Sequence, residues 1–264
     1  MNIIDTSIAQ GVMTLTLDDQ DHRNALSQQM LREFIDAIDV AESDRAVRVV
    51  VVTNRGKVFC AGANLAERSS TKDTSSPEPQ APVELSTLLE RIRHSRLPFI
   101  GRINGHCVAG GVGLAAVMDI SVALDSALFG FSEVRIGVAP AMISVVCLPK
   151  MRLGDAREAF LRGHRFSAEE AARLGLINHV ASGEDLDAVV SAIVNDILAG
   201  EPTAIATAKL LTTTVTTMPV EEAFAWTTQL SATLFASEAA REGMTAFLEK
   251  RPASWVMHLD NPPH

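Results

Sequence analysis

The run VRVVVVTN at residues 47–54 most constrains the fold of this chain. A continuous β-branched segment of this length is typical of a strand buried on both faces of a sheet. Before it, residues 11–19 alternate apolar and polar side chains, which predicts a half-buried strand. Between these strands, Ser27 is a candidate N-cap for a helix. The apolar positions of that helix recur at spacings of three and four: Met30, Leu31, Phe34, Ile35 and Ile38. Strand, helix and buried strand in succession predict an α/β fold.

The α/β pattern continues to about residue 200. A helix is predicted over 83–96, then a strand that Pro98 opens, then a helix over 110–118 that begins at glycines. Short strands are predicted over 120–124 and 128–131, and from Gly154 onward the pattern is helical almost throughout.

The C-terminal part predicts three further helices. Pro202 and Pro219 suit first helical positions, and Ser237 suits an N-cap. We therefore expect an α/β core over 1–200 and a helical segment over 201–264. Residues 69–82 are polar and contain three prolines, which predicts a mobile loop within the core.

Composition excludes several classes of function. The 264 residues carry a net charge of −9, which opposes sequence-independent binding to nucleic acid. The three cysteines are far apart and form no CxxC pair, so neither a metal site nor a disulfide framework is expected. No export signal or membrane span is apparent, and a cytoplasmic location is expected.

Two glycine-bearing turns are candidate functional elements. KVFCAGANL at 57–65 and NGHCVAGGVGLAA at 104–116 each connect a strand to a helix. Such turns let backbone N–H groups face a ligand, and two of them can form a two-donor oxyanion hole. The same glycines also suit simple close packing of a helix on a sheet.

Glu133 is a candidate acid or base. It follows a predicted strand and lies among Phe129, Phe131, Val134 and Ile136. Burial among apolar neighbours would raise its pKa toward the working range of a general acid or base. Taken alone, it also suits a solvated loop.

In order and spacing, these segments resemble the crotonase family, the enoyl-CoA hydratase and isomerase superfamily. The landmarks cover nearly the whole chain: RNAL at 23–26, FCAGANL at 59–65, INGHCVAGGVGLA at 103–115, DI at 119–120, FGFSEVRIGVAP at 129–140 and EGMTAFLEKRP at 242–252.

The resemblance implies a crotonase-like spiral of ββα units with a C-terminal helical trimerisation segment, assembled as a homotrimer or a dimer of trimers. It also implies an acyl-CoA substrate, with coenzyme A entering as part of the thioester and no other cofactor. The implied site has Glu133 as catalytic acid/base and the Ala63 and Gly110 amides as oxyanion donors. Implied CoA contacts are Arg23, Ala25, Ala61, Ala63, Leu65, Gly110, Phe247 and Lys250.

The main departure from the family pattern is at Gly113, where typical hydratases of the family have a second glutamate. One carboxylate can in principle serve both proton transfers of a hydration, and moving a double bond from the 3 to the 2 position needs only one. The sequence around Gly113 and Glu133 resembles that of hydratases of branched enoyl-CoAs, including methylglutaconyl-CoA. A branched acidic substrate would need a nearby cation, for which Arg135 or Arg68 could serve. The alternative is that both arginines are plain surface charges. We therefore expect an enoyl-CoA hydratase of fatty acid metabolism. The alternatives are a 3,2-enoyl-CoA isomerase and a catalytically silent acyl-CoA-binding protein.

Overall fold

The computed structural model describes residues 2–69 and 82–263, without the side chains of Arg68 and Ser69. The loop predicted over 69–82 therefore lies almost entirely outside the described residues.

Ten strands form two sheets within the described residues. The larger sheet has the order β1-β2-β3-β5-β7-β10, all parallel except for β1. The smaller has the order β4-β6-β8-β9, with β9 antiparallel. The strands are β1 Ile4–Ala9, β2 Val12–Leu17, β3 Val49–Asn54, β4 Val58–Cys60, β5 Phe99–Ile103, β6 His106–Val108, β7 Ile120–Leu124, β8 Leu128–Gly130, β9 Arg165–Ser167 and β10 His179–Ala181.

Helices follow pairs of strands, one strand from each sheet. The pairs β3–β4, β5–β6 and β7–β8 each lead into helix, which builds the predicted spiral of ββα units and confirms the α/β prediction. The helices are α1 Gln28–Ser43, α2 Leu65–Ser69, α3 Leu85–His94, α4 Gly110–Val117, α5 Ala141–Cys147, α6 Leu153–Arg162, α7 Ala168–Arg173, α8 Leu186–Ala199, α9 Pro202–Thr214, α10 Val220–Phe235 and α11 Glu238–Glu249. Short 3-10 helices cover Gln20–His22, Ser132–Ile136, Leu148–Lys150 and Val215–Thr217.

Two apolar clusters lie on opposite faces of the larger sheet. On β3, Val50 and Val52 belong to the larger cluster, with α1, α3 and α4. Val49 and Val51 pack instead with the buried side chains of α8. The β-branched run therefore forms a strand that is buried on both faces, as predicted.

Side-chain caps begin the predicted helices. The Met30 amide donates to the Ser27 hydroxyl at 3.1 Å, and the Ala240 amide donates to the Ser237 hydroxyl at 3.0 Å. Pro202 is the first residue of α9, as predicted. Pro219, in contrast, is the N-cap of α10 and not its first residue.

Three strands differ from the prediction. β2 is buried along its whole length, Thr14 and Thr16 included, because it lies between β1 and β3 and is covered on both faces. The alternation in its sequence therefore does not mark a solvent-facing side. The short strands β9 and β10 interrupt the region predicted to be helical.

Among the described residues, no single helix is long and apolar enough to span a bilayer. Helix α8 and the helical segment Pro202–Thr217 reach that length and composition only together, and a bend of 110° separates them.

Candidate active site

The first glycine turn is held against the RNAL segment. The Ala61 amide donates to the Arg23 carbonyl at 3.2 Å, and the Leu26 amide donates to the Gly62 carbonyl at 2.7 Å. Arg23 has a left-handed backbone, with φ of 56°. The turn therefore has fixed anchors on both sides of Gly62, and it leads into α2, whose first amides donate to the Asn64 side chain.

The second glycine turn begins α4 through a strained residue. Ala109 has φ of 50° and ψ of −121°, a region that residues with a side chain rarely adopt. Its amide donates to the Gly130 carbonyl at 2.9 Å, which ties the turn to β8. No sequence signal marks this residue, because alanine is unremarkable in a glycine-rich turn.

The two turns are in direct contact. A Cβ on Gly62 would lie 2.9 Å from the Val108 carbonyl oxygen and 3.0 Å from the Gly110 amide nitrogen. A Cβ on Gly111 would lie 2.1 Å from the Cys60 carbonyl oxygen. Any side chain at either glycine would push the turns apart, so the glycines are needed for this approach.

Each turn presents an amide without an internal acceptor. Neither the Ala63 amide nor the Gly110 amide donates a hydrogen bond within residues 2–69 and 82–263. Gly110 is the first residue of α4, where helical amides lack intrahelical partners and the helix dipole adds partial positive charge. Two unpaired donors in contacting turns are the arrangement that an oxyanion requires.

Glu133 directly follows β8, the strand of the smaller sheet that neighbours the second turn. It belongs to the 3-10 helix Ser132–Ile136, directly after β8, and β8 pairs with the strand that leads into the second turn. Its carboxylate is half-buried, and the Oε2 atom is buried with no hydrogen-bond partner among the described residues. Burial raises the pKa of Glu133 above its ordinary value. An unsatisfied buried acceptor is costly, and a water molecule or a substrate group at this oxygen would supply the missing hydrogen bond.

Comparison with known proteins identifies the fold and the family. The sequence matches the model of the enoyl-CoA hydratase/isomerase family over residues 7–258. Enoyl-CoA hydratase EchA19 of Mycobacterium tuberculosis is 32% identical over 243 residues, 90% of this chain and 91% of that protein. The crotonyl-CoA hydratase of Syntrophomonas wolfei is 31% identical over 235 residues, 88% of this chain and 90% of that protein.

A crystal structure of an enoyl-CoA hydratase from Mycobacterium smegmatis has a TM-score of 0.86 at 30% identity, covering 96% of this chain and 98% of that one. The chain belongs to the enoyl-CoA hydratase/isomerase family. As an enzyme of this family, it has the crotonase fold expected from its sequence landmarks.

Ile143 closes the space beside Gly113, the position at which the sequence resemblance predicts a second glutamate. A Cβ on Gly113 would lie 2.3 Å from Cγ2 and 2.7 Å from Cβ of Ile143, which is buried on α5. The packing of α4 on α5 therefore leaves no room for a carboxylate side chain at position 113. The sequence shows the glycine, but not that Ile143 packs against it.

Apart from Gly110, which begins α4, the predicted CoA contacts fall into two groups. Ala25, Ala61, Ala63 and Leu65 lie on or beside the first turn, together with the exposed Arg23. Phe247, which is 83% exposed, and Lys250 lie on or just after α11, which packs against α10. Within the described residues, neither the Arg23 guanidinium nor the Lys250 ammonium forms an ion pair.

Other candidate side chains have structural roles. The His106 ring accepts a hydrogen bond from the Leu128 amide at 3.0 Å, so it spaces β6 from β8. Cys60 and Cys107 are buried, and burial raises the pKa of Cys60 to about 12, which makes it a packing residue. The Arg135 guanidinium donates to the carbonyls of Arg162 and Gly163, so it is already engaged. The side chain of Arg68 lies outside the described structure.

Proposed function

We propose that this protein is an enoyl-CoA hydratase that adds water across the 2,3 double bond of an enoyl-CoA. Glu133 is the acid/base, and the amides of Ala63 and Gly110 are the oxyanion donors. One combined observation supports this proposal. The amides of Ala63 and Gly110 have no acceptor among the described residues, and they belong to two turns that are in contact. The carboxylate of Glu133, whose Oε2 is buried and unpaired within the same residues, directly follows the adjacent strand β8.

The hydration follows from these groups. Glu133, ionised, takes a proton from a water molecule as the water oxygen bonds to C3. The π electrons move onto the thioester oxygen, where the Ala63 and Gly110 amides stabilise the enolate. Collapse of the enolate takes the proton from Glu133 to C2, which regenerates the carboxylate. Each amide of this type lowers the barrier by about 3–4 kcal/mol, because it is aimed at charge that develops in the transition state.

Coenzyme A takes part only as the thioester group of the substrate. We place its adenine along the backbone of Ala61 and Ala63, beside Ala25 and Leu65, with a phosphate near Arg23. The guanidinium of Arg23 and the nearby Lys57 ammonium are exposed and have no ion pair within the described residues. These cations allow a protein of net charge −9 to bind a polyanionic nucleotide.

The second candidate is 3,2-enoyl-CoA isomerisation. The packing of Ile143 against Gly113 favours it, because it leaves no room for a carboxylate at position 113, and isomerisation needs only Glu133. Glu133 would then remove a proton from C2 and deliver it to C4, with the same two amides stabilising the dienolate.

A turnover screen separates these functions. Crotonyl-CoA, branched enoyl-CoAs and carboxylated enoyl-CoAs are assayed for loss of enone absorbance, with 3-enoyl-CoAs in parallel for its appearance. Hydration faster than isomerisation supports the proposal, and isomerisation alone replaces it with the second candidate. Binding of acyl-CoA without turnover of any substrate identifies a silent acyl-CoA-binding protein and overturns both.

We also propose a homotrimer or a dimer of trimers, with α9–α11 as the contact segment. Side chains of these helices that are between 69% and 83% exposed are Val220, Phe224, Phe235, Phe247 and Leu248. An apolar surface of this kind on a soluble protein marks an interaction site. In such an assembly, Phe247 and Lys250 would reach the nucleotide of a neighbouring subunit. Sedimentation of the wild type as a trimer or hexamer supports this proposal, and sedimentation as a monomer at micromolar concentration refutes it.

A further inference from the structure

Lys209 on α9 joins the C-terminal helices to the α/β core through three acceptors. Its ammonium donates to the carbonyls of Ile92 at 2.8 Å and Leu97 at 2.9 Å, and it lies 2.8 Å from Oδ2 of Asp119. These three acceptors use all three of its N–H groups. The side chain is only 8% exposed, and its Nζ lies 5.3 Å from the centre of the Phe99 ring.

Asp119 connects this cation to α4. It comes two residues after the helix ends, and its backbone and its side chain both form hydrogen bonds with the first residue of β5. Its amide donates to the Phe99 carbonyl at 2.9 Å, and its Oδ2 accepts from the Phe99 amide at 2.7 Å. The C-terminal end of α4 is therefore tied to β5 and to α9 through one carboxylate.

The other end of α4 carries the Gly110 amide. All eight residues of the helix are buried, and a helix of that length spans about 12 Å. A closely packed helix moves as a unit, because packed interiors transmit displacement rather than absorb it. A shift at Asp119 therefore becomes a shift at Gly110.

We propose that Lys209, acting through Asp119, is a positioning residue for the oxyanion site. The pair sets the axial position of α4, and so the aim of the Gly110 amide, and it couples the site to the C-terminal helices. The inference rests on the proposed function of Gly110 as an oxyanion donor. A misplacement of about 1 Å in a catalytic group can cost as much as 100-fold in rate.

Arg48 offers a matched control. Its guanidinium also holds the C-terminal segment to the core, donating to the carbonyls of Gly200 at 2.6 Å and Trp255 at 3.2 Å. It lies just before β3, and among the described residues its guanidinium bonds to Gly200, Trp255 and Met257 and not to Asp119 or α4. Arg48→Met therefore loosens the same segment without disturbing the connection to Gly110.

The experiment compares Lys209→Met, Asp119→Asn and Arg48→Met in the full-length assembled protein. Asn at 119 can still accept from the Phe99 amide, so this variant tests the charge pair if Lys209→Met does not fold. We measure kcat and KM for crotonyl-CoA, and the fraction of bound acetoacetyl-CoA that is enolised, from the near-ultraviolet absorbance of the enolate. The enolate measurement requires no turnover, so it tests the oxyanion site even if hydration is not the reaction.

We expect Lys209→Met and Asp119→Asn each to lower kcat by about 10- to 100-fold and to reduce the enolised fraction, with KM changed less than threefold. The double variant should be no worse than Lys209→Met alone, because that change already removes the ion pair that Asp119→Asn weakens. Arg48→Met should keep kcat within about twofold. Equal effects of Lys209→Met and Arg48→Met would overturn the proposal, as would a wild-type enolised fraction in Lys209→Met.

Hydrogen exchange provides a readout that does not depend on the ligand. Lys209→Met and Asp119→Asn should accelerate exchange in the peptide spanning 108–119, and Arg48→Met should not. If wild-type protein neither turns over enoyl-CoA nor enolises acetoacetyl-CoA, the proposed function fails, and this exchange pattern alone decides the coupling. Unchanged exchange in 108–119 refutes it.

Discussion

Replacement of Gly113 by alanine tests whether α5 closes the position of the second carboxylate. The added Cβ would lie 2.3 Å from Cγ2 and 2.7 Å from Cβ of Ile143. Carbon atoms in contact prefer about 3.5–4.0 Å, so α4 and α5 must separate by about 1 Å. Rotation of the Ile143 side chain cannot relieve the second contact, because its Cβ is fixed to the backbone.

The magnitude follows from two opposing effects. Alanine in place of glycine inside a helix stabilises by about 0.5–1 kcal/mol. Overpacking of a buried site costs about 1–3 kcal/mol, and the rigid contact places this site toward the upper end of that range. We therefore expect Gly113→Ala to lower the free energy of unfolding by about 1–2 kcal/mol.

Gly154 on α6 provides the matched control. A Cβ there has no neighbour within 4 Å, and the residue has no positive φ, so Gly154→Ala should stabilise by about 0.5–1 kcal/mol. Urea unfolding of both variants at equal protein concentration measures the two effects. The reasoning is refuted if Gly113→Ala is as stable as the wild type, or if both substitutions shift stability in the same direction.

Three further predictions concern the site. Gly62→Ala should lower the free energy of unfolding in urea by about 2–4 kcal/mol, because it adds a close contact with Val108 to a left-handed backbone. Its control is Gly137→Ala, where φ is 80° but a Cβ would have no neighbour within 4 Å. That variant should lose only about 1 kcal/mol. The acidic limb of kcat/KM should lie above pH 4.5, because burial raises the pKa of Glu133 and only the ionised carboxylate accepts a proton; a limb at or below 4.5 contradicts this. Because the pKa of Glu133 is raised, the native state binds this proton more tightly than the unfolded state does. The contribution of Glu133 to the free energy of unfolding should therefore fall as pH rises through the raised pKa. Glu133→Gln should remove this pH dependence from the free energy of urea unfolding measured across pH.

Local patterns predicted much of the fold. The run at 47–54 became β3, and hydroxyl caps at Ser27 and Ser237 begin α1 and α11. These signals are local, because a β-branched run or a cap acts within a few residues. The prediction that β2 is half-buried is wrong, because burial of Thr14 and Thr16 depends on elements that are distant in sequence.

The candidate site likewise has features that local sequence predicts and features that depend on contacts between distant residues. The glycine turns and Glu133 could be selected from sequence, since glycine and an acid among apolar residues are local signals. The contact of Gly62 with Gly110, the filling of position 113 by Ile143 and the bonding of Lys209 to Asp119 could not, because each joins residues separated along the chain. The strained backbone of Ala109 is likewise imposed by its hydrogen bond to β8 rather than by its own residue type.

The central claim is that Glu133 alone moves the proton, and its most direct test is crotonyl-CoA hydration by Glu133→Gln. Glutamine keeps the shape of the side chain but cannot accept the proton, and general acid–base groups contribute about 10²- to 10⁴-fold to rate. Glu158→Gln, at an exposed residue paired with Arg162, is the surface control. We expect Glu133→Gln to lower kcat by at least about 100-fold with acyl-CoA affinity retained, and Glu158→Gln to match the wild type. Hydration by Glu133→Gln at the wild-type rate would contradict the account.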